Sequence, residues 1–162
     1  MGLIFGKITV ETPKYEVVQS SAEYEIRKYP PSVAAQVIYD PSQFKGNRDG
    51  GFTLLANYIG ALVNPQNSKP ETTAMTAPVI TKTSNSEKIA MTAPVEEGER
   101  NYGLVKFAGV ATDKVVEEKV ENLKKSLERD GYKVTGQHLL ARYNPPWTIP
   151  AFRTNEVMLP VE

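Results

Sequence analysis

Cysteine is absent from this sequence of 162 residues, and histidine and tryptophan occur once each. Without cysteine the chain can form neither a disulfide nor a thiolate metal site, and this composition favours a reducing compartment. A single histidine excludes the His-x-x-x-His spacing of a metal site and supplies at most one imidazole for acid–base catalysis. We therefore expect no resident metal ion and no catalysis by a thiol.

Net charge is also lacking, because 19 basic residues balance 19 acidic ones. No overall field attracts nucleic acid or an acidic membrane, and no dense basic cluster with interleaved aromatic residues provides a local one. No apolar run approaches the length of a membrane span, and the apolar part of residues 1–7 is too short for a signal peptide. We expect one cytosolic domain over residues 1–162, with no nucleic-acid partner and no membrane insertion.

A short repeat stands near the middle of the chain, where Met-Thr-Ala-Pro-Val occurs at residues 75–79 and again at 91–95. Each copy is an apolar, β-branched run that contains a proline. Proline cannot donate to a strand ladder, so each run suits an edge strand or a strand end. The repeat is too short for a solenoid. The sequence leaves open which copy forms the structural strand.

Strands are predicted wherever apolar and polar residues alternate between turn residues. The pattern is plainest in residues 24–29, which two prolines follow. The predicted strands are residues 15–19, 24–29, 33–39, 102–110, 134–143 and 156–161.

Two helices are predicted from apolar residues three and four positions apart. The first covers residues 52–62, with Asp49 as a cap. The glycine-rich turn before it lacks the spacing and the lysine of a phosphate-binding loop. The second helix lies between Thr112, which caps it, and Gly131, which ends it. The apolar stripe of the second helix consists of Val116, Val120, Leu123 and Leu127.

Several stretches match a known family in sequence and in order. They are residues 5–13, residues 56–60, the two Ala-Met-Thr-Ala-Pro-Val runs, residues 140–147 (Leu-Ala-Arg-Tyr-Asn-Pro-Pro-Trp) and residues 152–158 (Phe-Arg-Thr-Asn-Glu-Val-Met). On these residues the chain resembles the SOUL haem-binding proteins, and among them the plant cytosolic members.

The resemblance implies an α+β fold in which two pseudo-symmetric βαββ halves form a distorted antiparallel β-barrel with two packed helices. The order of predicted elements also divides into two similar halves. The second half ends in the strand at residues 156–161, but the first half has no equally plain final strand, because Val95 runs directly into the turn that begins at Glu96. The first half is therefore predicted to lack a strand, unless the second Met-Thr-Ala-Pro-Val copy fills that place.

A haem site needs an apolar surface for the macrocycle and donors for the two propionates. The resemblance implies a site between the first helix and the loop before the last strand. The matching residues are Phe52, Leu55, Ala56 and Ile59 on the helix, and Trp147, Ile149 and Arg153 around the loop. Ordinary core packing would produce the same helical stripe.

The propionate and axial positions are less well defined. Asn57 and Thr148 fall near places where animal members have basic residues credited with holding propionates, which leaves Arg153, and after it Arg142, as substitutes. His138 is the candidate axial ligand, although a strand histidine is more often satisfied by its neighbours. Weaker candidates are Met75, Met91 and Tyr58.

The resemblance thus predicts a non-enzymatic cytosolic protein that binds, transports or buffers haem and other tetrapyrroles such as iron-free protoporphyrin in an apolar pocket. One alternative is a protein-interaction module that uses an exposed strand edge or the second helix. Another is a small-molecule sensor or hydrolase on the same barrel, for which Glu156 is the carboxylate in a matched stretch. A lone carboxylate is not a catalytic pair.

Overall fold

The computed structural model describes residues 8, 10–34, 37–38, 50–58, 77–82, 90–91 and 95–162. The chain divides into two compact units. The first unit comprises Met1–Pro31, Ala77–Thr83 and Gly98–Glu162, and the second comprises Ser32–Thr76 and Ser84–Glu97. The expectation of a single domain stays a prediction.

The first unit is built on a six-stranded antiparallel sheet. Its strands are β1 (Glu16–Ser20), β2 (Glu25–Tyr29), β5 (Val79–Lys82), β8 (Arg100–Ala108), β9 (Leu139–Arg142) and β10 (Thr154–Pro160), numbered along the whole chain. Their order across the sheet is β1-β2-β8-β10-β9-β5. The α+β class is therefore confirmed, but among the described residues the sheet has two edges, β1 and β5, and is not closed into a barrel.

Helix α2 (Asp113–Arg129) packs on one face of this sheet and agrees with the prediction at both ends. The Thr112 hydroxyl accepts a hydrogen bond from the Val115 amide at 3.4 Å, which satisfies one unpaired donor of the first turn. Gly131 follows the helix with a φ of 90°, a left-handed conformation that favours glycine. The apolar stripe therefore becomes the buried side of α2.

The main core lies between α2 and the sheet, and Gly103 of β8 lets the two approach closely. A Cβ atom at Gly103 would lie 2.6 Å from Cδ2 of Leu127, which is fully buried. The buried residues of this core are Tyr24, Ile26, Val116, Leu123, Leu127, Val157, Leu159 and Val161.

A second buried cluster lies on the sheet face opposite α2. Successive side chains of a strand point to opposite faces, so the neighbours of the residues packed on α2 meet here. The cluster consists of Tyr102, Leu104, Ala141 and Met158, with Tyr29, Leu139 and Tyr143 packed against it.

The predicted strand at residues 134–143 is interrupted in the structure. Lys133 exchanges backbone hydrogen bonds with Glu162, the Thr135 amide donates to the Pro160 carbonyl, and β9 begins only at Leu139. Gly136 lies between Thr135 and the start of β9, and a Cβ atom added there would lie 3.0 Å from the Pro160 ring. Proline has no amide hydrogen to continue the ladder, which gives a physical reason for the break.

The second unit contains the shorter elements. They are β3 (Ser32–Ala34), β4 (Val37–Ile38), α1 (Gly50–Tyr58), β6 (Ala90–Met91) and β7 (Val95–Glu97). Strand β3 pairs with β7 and β4 pairs with β6, both antiparallel. Of the predicted first helix, residues 52–58 are confirmed as helical, and residues 59–62 and the proposed cap Asp49 lie outside the described residues.

Both copies of the repeat contribute residues to strands. Strand β5 begins at Val79, the last residue of the first copy, and it lies at an edge of the six-stranded sheet, as the prolines predict. The Ala77–Pro78 peptide bond that precedes it is cis. In the second copy, Met91 ends β6 and Val95 begins β7.

Candidate functional site

The loop between β9 and β10 carries Trp147, Ile149 and Arg153, which the resemblance assigns to the ligand. It contains three prolines, Pro145, Pro146 and Pro150, and two tight turns. The Thr148 amide donates to the Pro145 carbonyl at 3.0 Å, and a 3₁₀ turn at Pro150–Phe152 follows. Proline fixes φ, so these turns restrict the loop conformation strongly.

Arg153 braces this loop from within. Its Nε donates to the Thr148 carbonyl at 2.8 Å, and its Nη2 donates to the Pro146 carbonyl at 2.5 Å. Hydrogen bonds from a guanidinium are stronger than those between neutral groups. The half-buried side chain therefore ties together the two backbone positions that flank Trp147.

The base of the loop is also hydrogen-bonded. The Thr154 amide donates to the Asn144 side-chain oxygen at 2.7 Å, and the Tyr143 amide donates to the Thr154 carbonyl at 3.0 Å. The Asn155 side chain donates to the Gly109 carbonyl at 3.0 Å, which links the start of β10 to the end of β8. The loop is thus supported both at its base and along its length.

This braced loop displays large apolar side chains to solvent. Trp147, Ile149 and Phe152 are 54%, 40% and 48% exposed, whereas Thr148 between the first two is only 1% exposed. We call Trp147, Ile149 and Phe152 the apolar loop residues. Exposed apolar side chains on a rigid support are a common feature of binding sites. Phe152 is a site candidate that the sequence analysis missed, although it begins one of the stretches shared with the SOUL proteins.

The helical candidates lie in the second unit. Phe52 and Leu55 are half-buried on α1, and Ala56 is 2% exposed. Ile59 lies outside the described residues.

The candidate axial ligands belong to different elements of the chain. His138 is half-buried and immediately precedes β9, and Tyr58 is the last residue of α1. Met91 ends β6, and Met75 lies outside the described residues. Within the described ranges, no group of three or more histidine, aspartate and glutamate residues is arranged to hold a metal ion.

A buried charged cluster lies on the sheet face opposite α2, and no pattern in the sequence predicts it. Nη1 of Arg27 donates to Oε1 of Glu156 at 2.9 Å, and the Tyr143 hydroxyl donates to Oε2 at 2.7 Å. The Arg27 and Glu156 side chains are 7% and 3% exposed. Glu25 also pairs with Arg27, because its Oε2 lies 2.8 Å from both Nε and Nη2 of Arg27.

Electrostatics support a fixed arrangement in this cluster. Burial lowers the pKa of Arg27, but a hydrogen bond with Tyr29, the charge of Glu156 and hydrogen bonds with Glu25 and Glu156 outweigh it, and the pKa is raised. Burial, together with the hydrogen bond to Glu156, raises the pKa of Tyr143. The guanidinium also lies 4.1 Å from the centre of the Tyr15 ring, a cation–π distance. Both Arg27 and Tyr143 are protonated at neutral pH, as their ordinary pKa values already require, so both can donate to Glu156.

The fold and the loop define a class of protein: an α+β fold with a hydrogen-bonded loop that exposes apolar side chains, and no metal cluster among its described residues. A model of the SOUL heme-binding protein family matches residues 10–101 and 94–160. The chain belongs to the SOUL heme-binding protein family. Family membership indicates binding of haem or a related tetrapyrrole.

Two solved structures show a similar fold. The crystal structure of the EcmrR C-terminal domain has a TM-score of 0.52 at 15% identity, over 91% of this chain and 98% of that chain. A cryo-EM structure of an EcmrR–DNA complex has a TM-score of 0.51 at 12% identity, over 86% of this chain and 57% of that chain. At these identities the likeness concerns the fold alone. No curated protein matches the chain significantly.

Neither helix in the described residues is long and apolar enough to cross a membrane.

Proposed function

We propose that this protein binds haem and related tetrapyrroles reversibly and acts as a non-enzymatic carrier or buffer in the cytosol. One observation carries the proposal beyond family membership: the loop between β9 and β10 is braced by hydrogen bonds while Trp147, Ile149 and Phe152 remain exposed. The lack of cysteine suits a reducing compartment such as the cytosol.

The apolar loop residues suit the flat, apolar face of a tetrapyrrole. An aromatic side chain can bury about 150–250 Å² of surface and prefers offset or edge contacts with another ring system. Burying about 200 Å² of apolar surface would contribute about 5 kcal/mol to binding, before the entropic cost of association. Because the loop is already held in shape, little of this free energy would be spent on ordering it.

Weak or absent axial ligation fits a carrier, because a strong iron–ligand bond would slow release. His138 is the ligand to test first, since it is the only histidine. A site that depends on apolar contact would also accept protoporphyrin without iron. The resemblance assigns Phe52, Leu55, Ala56 and Ile59 of the first helix to the same ligand, and we propose them on that basis alone.

The non-enzymatic part of the proposal is supported by Glu156, the carboxylate considered for hydrolysis. One carboxylate oxygen accepts a hydrogen bond from Arg27 and the other accepts one from Tyr143, and Glu156 is only 2% exposed. A general base must reach the proton that it abstracts, and a carboxylate engaged in this way is poorly placed to do so.

A protein-interaction module is the second candidate. It is favoured by β1, an edge strand on which Val17 and Val18 are 47% and 57% exposed. The same strand has a register shift between Val17 and Gln19, and such bulges commonly protect an edge from pairing with another chain. We therefore rank this function below tetrapyrrole binding.

We also propose that the second Met-Thr-Ala-Pro-Val copy provides the last strand of the first half. This is the strand for which the sequence shows no other plain counterpart. In the second unit β3 and β4 pair with β7 and β6, as β8 pairs with β10 in the first unit. These pairings support two related halves.

A Soret-region titration with haemin tests the proposed function. We expect a saturable one-to-one spectral change that persists in His138→Ala, and a parallel titration in which protoporphyrin also binds. Loss of the spectral shift in His138→Ala would identify His138 as the axial ligand. No saturation in protein that circular dichroism shows to be folded would contradict the proposed function.

A further inference from the structure

We propose that Arg153 is a positioning residue that holds the loop in its binding shape, and that the site recognises the apolar macrocycle rather than the carboxylates of its ligand. This inference rests on the proposed function. It gives Arg153 a different role from that of a propionate ligand, and it defines the ligand class as flat apolar macrocycles whether or not their side chains are charged.

The composition of the loop explains why it needs an internal donor. Three of the six residues 145–150 are prolines, which have no amide hydrogen. The backbone therefore has few donors of its own for the loop carbonyls, and a buried carbonyl without a partner is costly. Arg153 supplies donors to two of these carbonyls, those of Pro146 and Thr148.

The way in which Arg153 donates also matters. Nε and Nη2 lie on one edge of the guanidinium, and this edge is one of the two forks with which arginine grips a carboxylate through parallel hydrogen bonds. Here both nitrogens of that edge donate to backbone carbonyls at 2.8 and 2.5 Å. A propionate would have to compete with the loop itself for this fork.

Trp147 lies between the two braced carbonyls and is the only tryptophan in the chain. Its fluorescence therefore reports on the loop without any added label. If the Arg153 bonds hold the loop, their removal should change the solvent access of Trp147 even when no ligand is present.

The experiment compares wild type, Arg153→Lys and Arg153→Gln, each titrated with haemin and with haemin dimethyl ester, whose carboxylates are esterified. Lysine keeps the charge but cannot donate from two nitrogens of a fixed planar fork. Acrylamide quenching of Trp147 is measured in the free proteins. Arg129→Gln is the matched control, because Arg129 is a 59% exposed arginine on α2 with ion pairs of its own.

We expect both Arg153 variants to bind haemin and its dimethyl ester about tenfold more weakly or worse, by the same factor for the two ligands. Both should also show stronger quenching of Trp147, whereas Arg129→Gln should match wild type in every measurement. Far-UV circular dichroism and thermal unfolding of all four proteins would separate a local change in the loop from a global loss of structure.

Two results would overturn the inference. The first is a haemin affinity in Arg153→Lys equal to that of wild type, or a weakening of haemin binding in the Arg153 variants that is not seen with the dimethyl ester. Either outcome would make Arg153 a carboxylate ligand. The second is unchanged Trp147 quenching in both variants. Wild-type protein that binds neither ligand would instead contradict the proposed function, and the quenching comparison would still decide whether Arg153 holds the loop.

Discussion

The Arg27 guanidinium and the Glu156 carboxylate form a buried ion pair, 2.9 Å apart, that joins β2 to β10 across the intervening strand β8. Tyr143, one residue beyond β9, donates to the other oxygen of the same carboxylate. The pair thus connects distant parts of the sequence on the sheet face opposite α2. Removing one partner of such a pair leaves a buried charge without full compensation.

Glu156→Gln should therefore lower the free energy of unfolding by about 2–4 kcal/mol, because Glu25 still compensates part of the Arg27 charge. Urea unfolding followed by circular dichroism measures the difference. Glu121→Gln is the control, since Glu121 pairs with Lys125 on the exposed face of α2. The control should leave the free energy of unfolding nearly unchanged, because exposed ion pairs contribute little to stability. Equal effects of the two substitutions would show that the buried pair contributes no special stability.

The close contact between Gly103 and Leu127 should make Gly103→Ala destabilising. The added methyl group would lie 2.6 Å from Cδ2 of Leu127, so α2 or the side chain must move. Overpacking of this kind costs about 1–3 kcal/mol. Gly98→Ala is the matched control, because a Cβ atom there has nothing within 4 Å. The measurement is the midpoint of urea unfolding. A midpoint for Gly103→Ala equal to that for Gly98→Ala would contradict the close packing of α2 on the sheet.

Deprotonation of Tyr24 should lower the free energy of unfolding at alkaline pH. Burial raises the pKa of Tyr24 to about 12 from 10.0, aided by its 2.6 Å hydrogen bond to Asp130. The folded state thus holds this proton more tightly than the unfolded state. The stabilisation is complete below pH 10 and is lost as pH rises towards 12.

The measurement is the difference in unfolding free energy between wild type and Tyr24→Phe as a function of pH. We expect this difference to be constant from pH 7 to 9. Above pH 10 the unfolding free energy of wild type should fall relative to that of Tyr24→Phe. Other tyrosines titrate in both proteins, so the difference isolates Tyr24. A difference that stays flat up to pH 12 would contradict the raised pKa.

Sequence reasoning succeeded where the signal is local. The extent of α2 followed from its apolar stripe, from the Thr112 cap and from Gly131, all of which act within one or two helical turns. The strands at β1, β2 and β10 were likewise predicted within two residues of their observed ends, because alternation and prolines mark them.

Contacts between distant residues could not be predicted in this way. Arg27 and Glu156 are 129 residues apart in the sequence, and only strand order brings them together. The hydrogen bonds of Arg153 reach backbone carbonyls, whose directions depend on the turns of a proline-rich loop. The family resemblance implies Trp147, Ile149 and Arg153 as site residues, which stays a prediction, and the sequence did not indicate what Arg153 contacts.

The central claim is that the apolar loop residues form a tetrapyrrole-binding surface, and Phe152→Ser tests it most directly. Phe152 is 48% exposed, so its replacement should leave the fold intact. The control is Val18→Ser, a comparably exposed apolar residue on β1. In haemin titrations followed at the Soret band, we predict about tenfold weaker binding by Phe152→Ser and wild-type binding by Val18→Ser. Wild-type affinity in Phe152→Ser, in protein with an unchanged circular dichroism spectrum, would contradict the account.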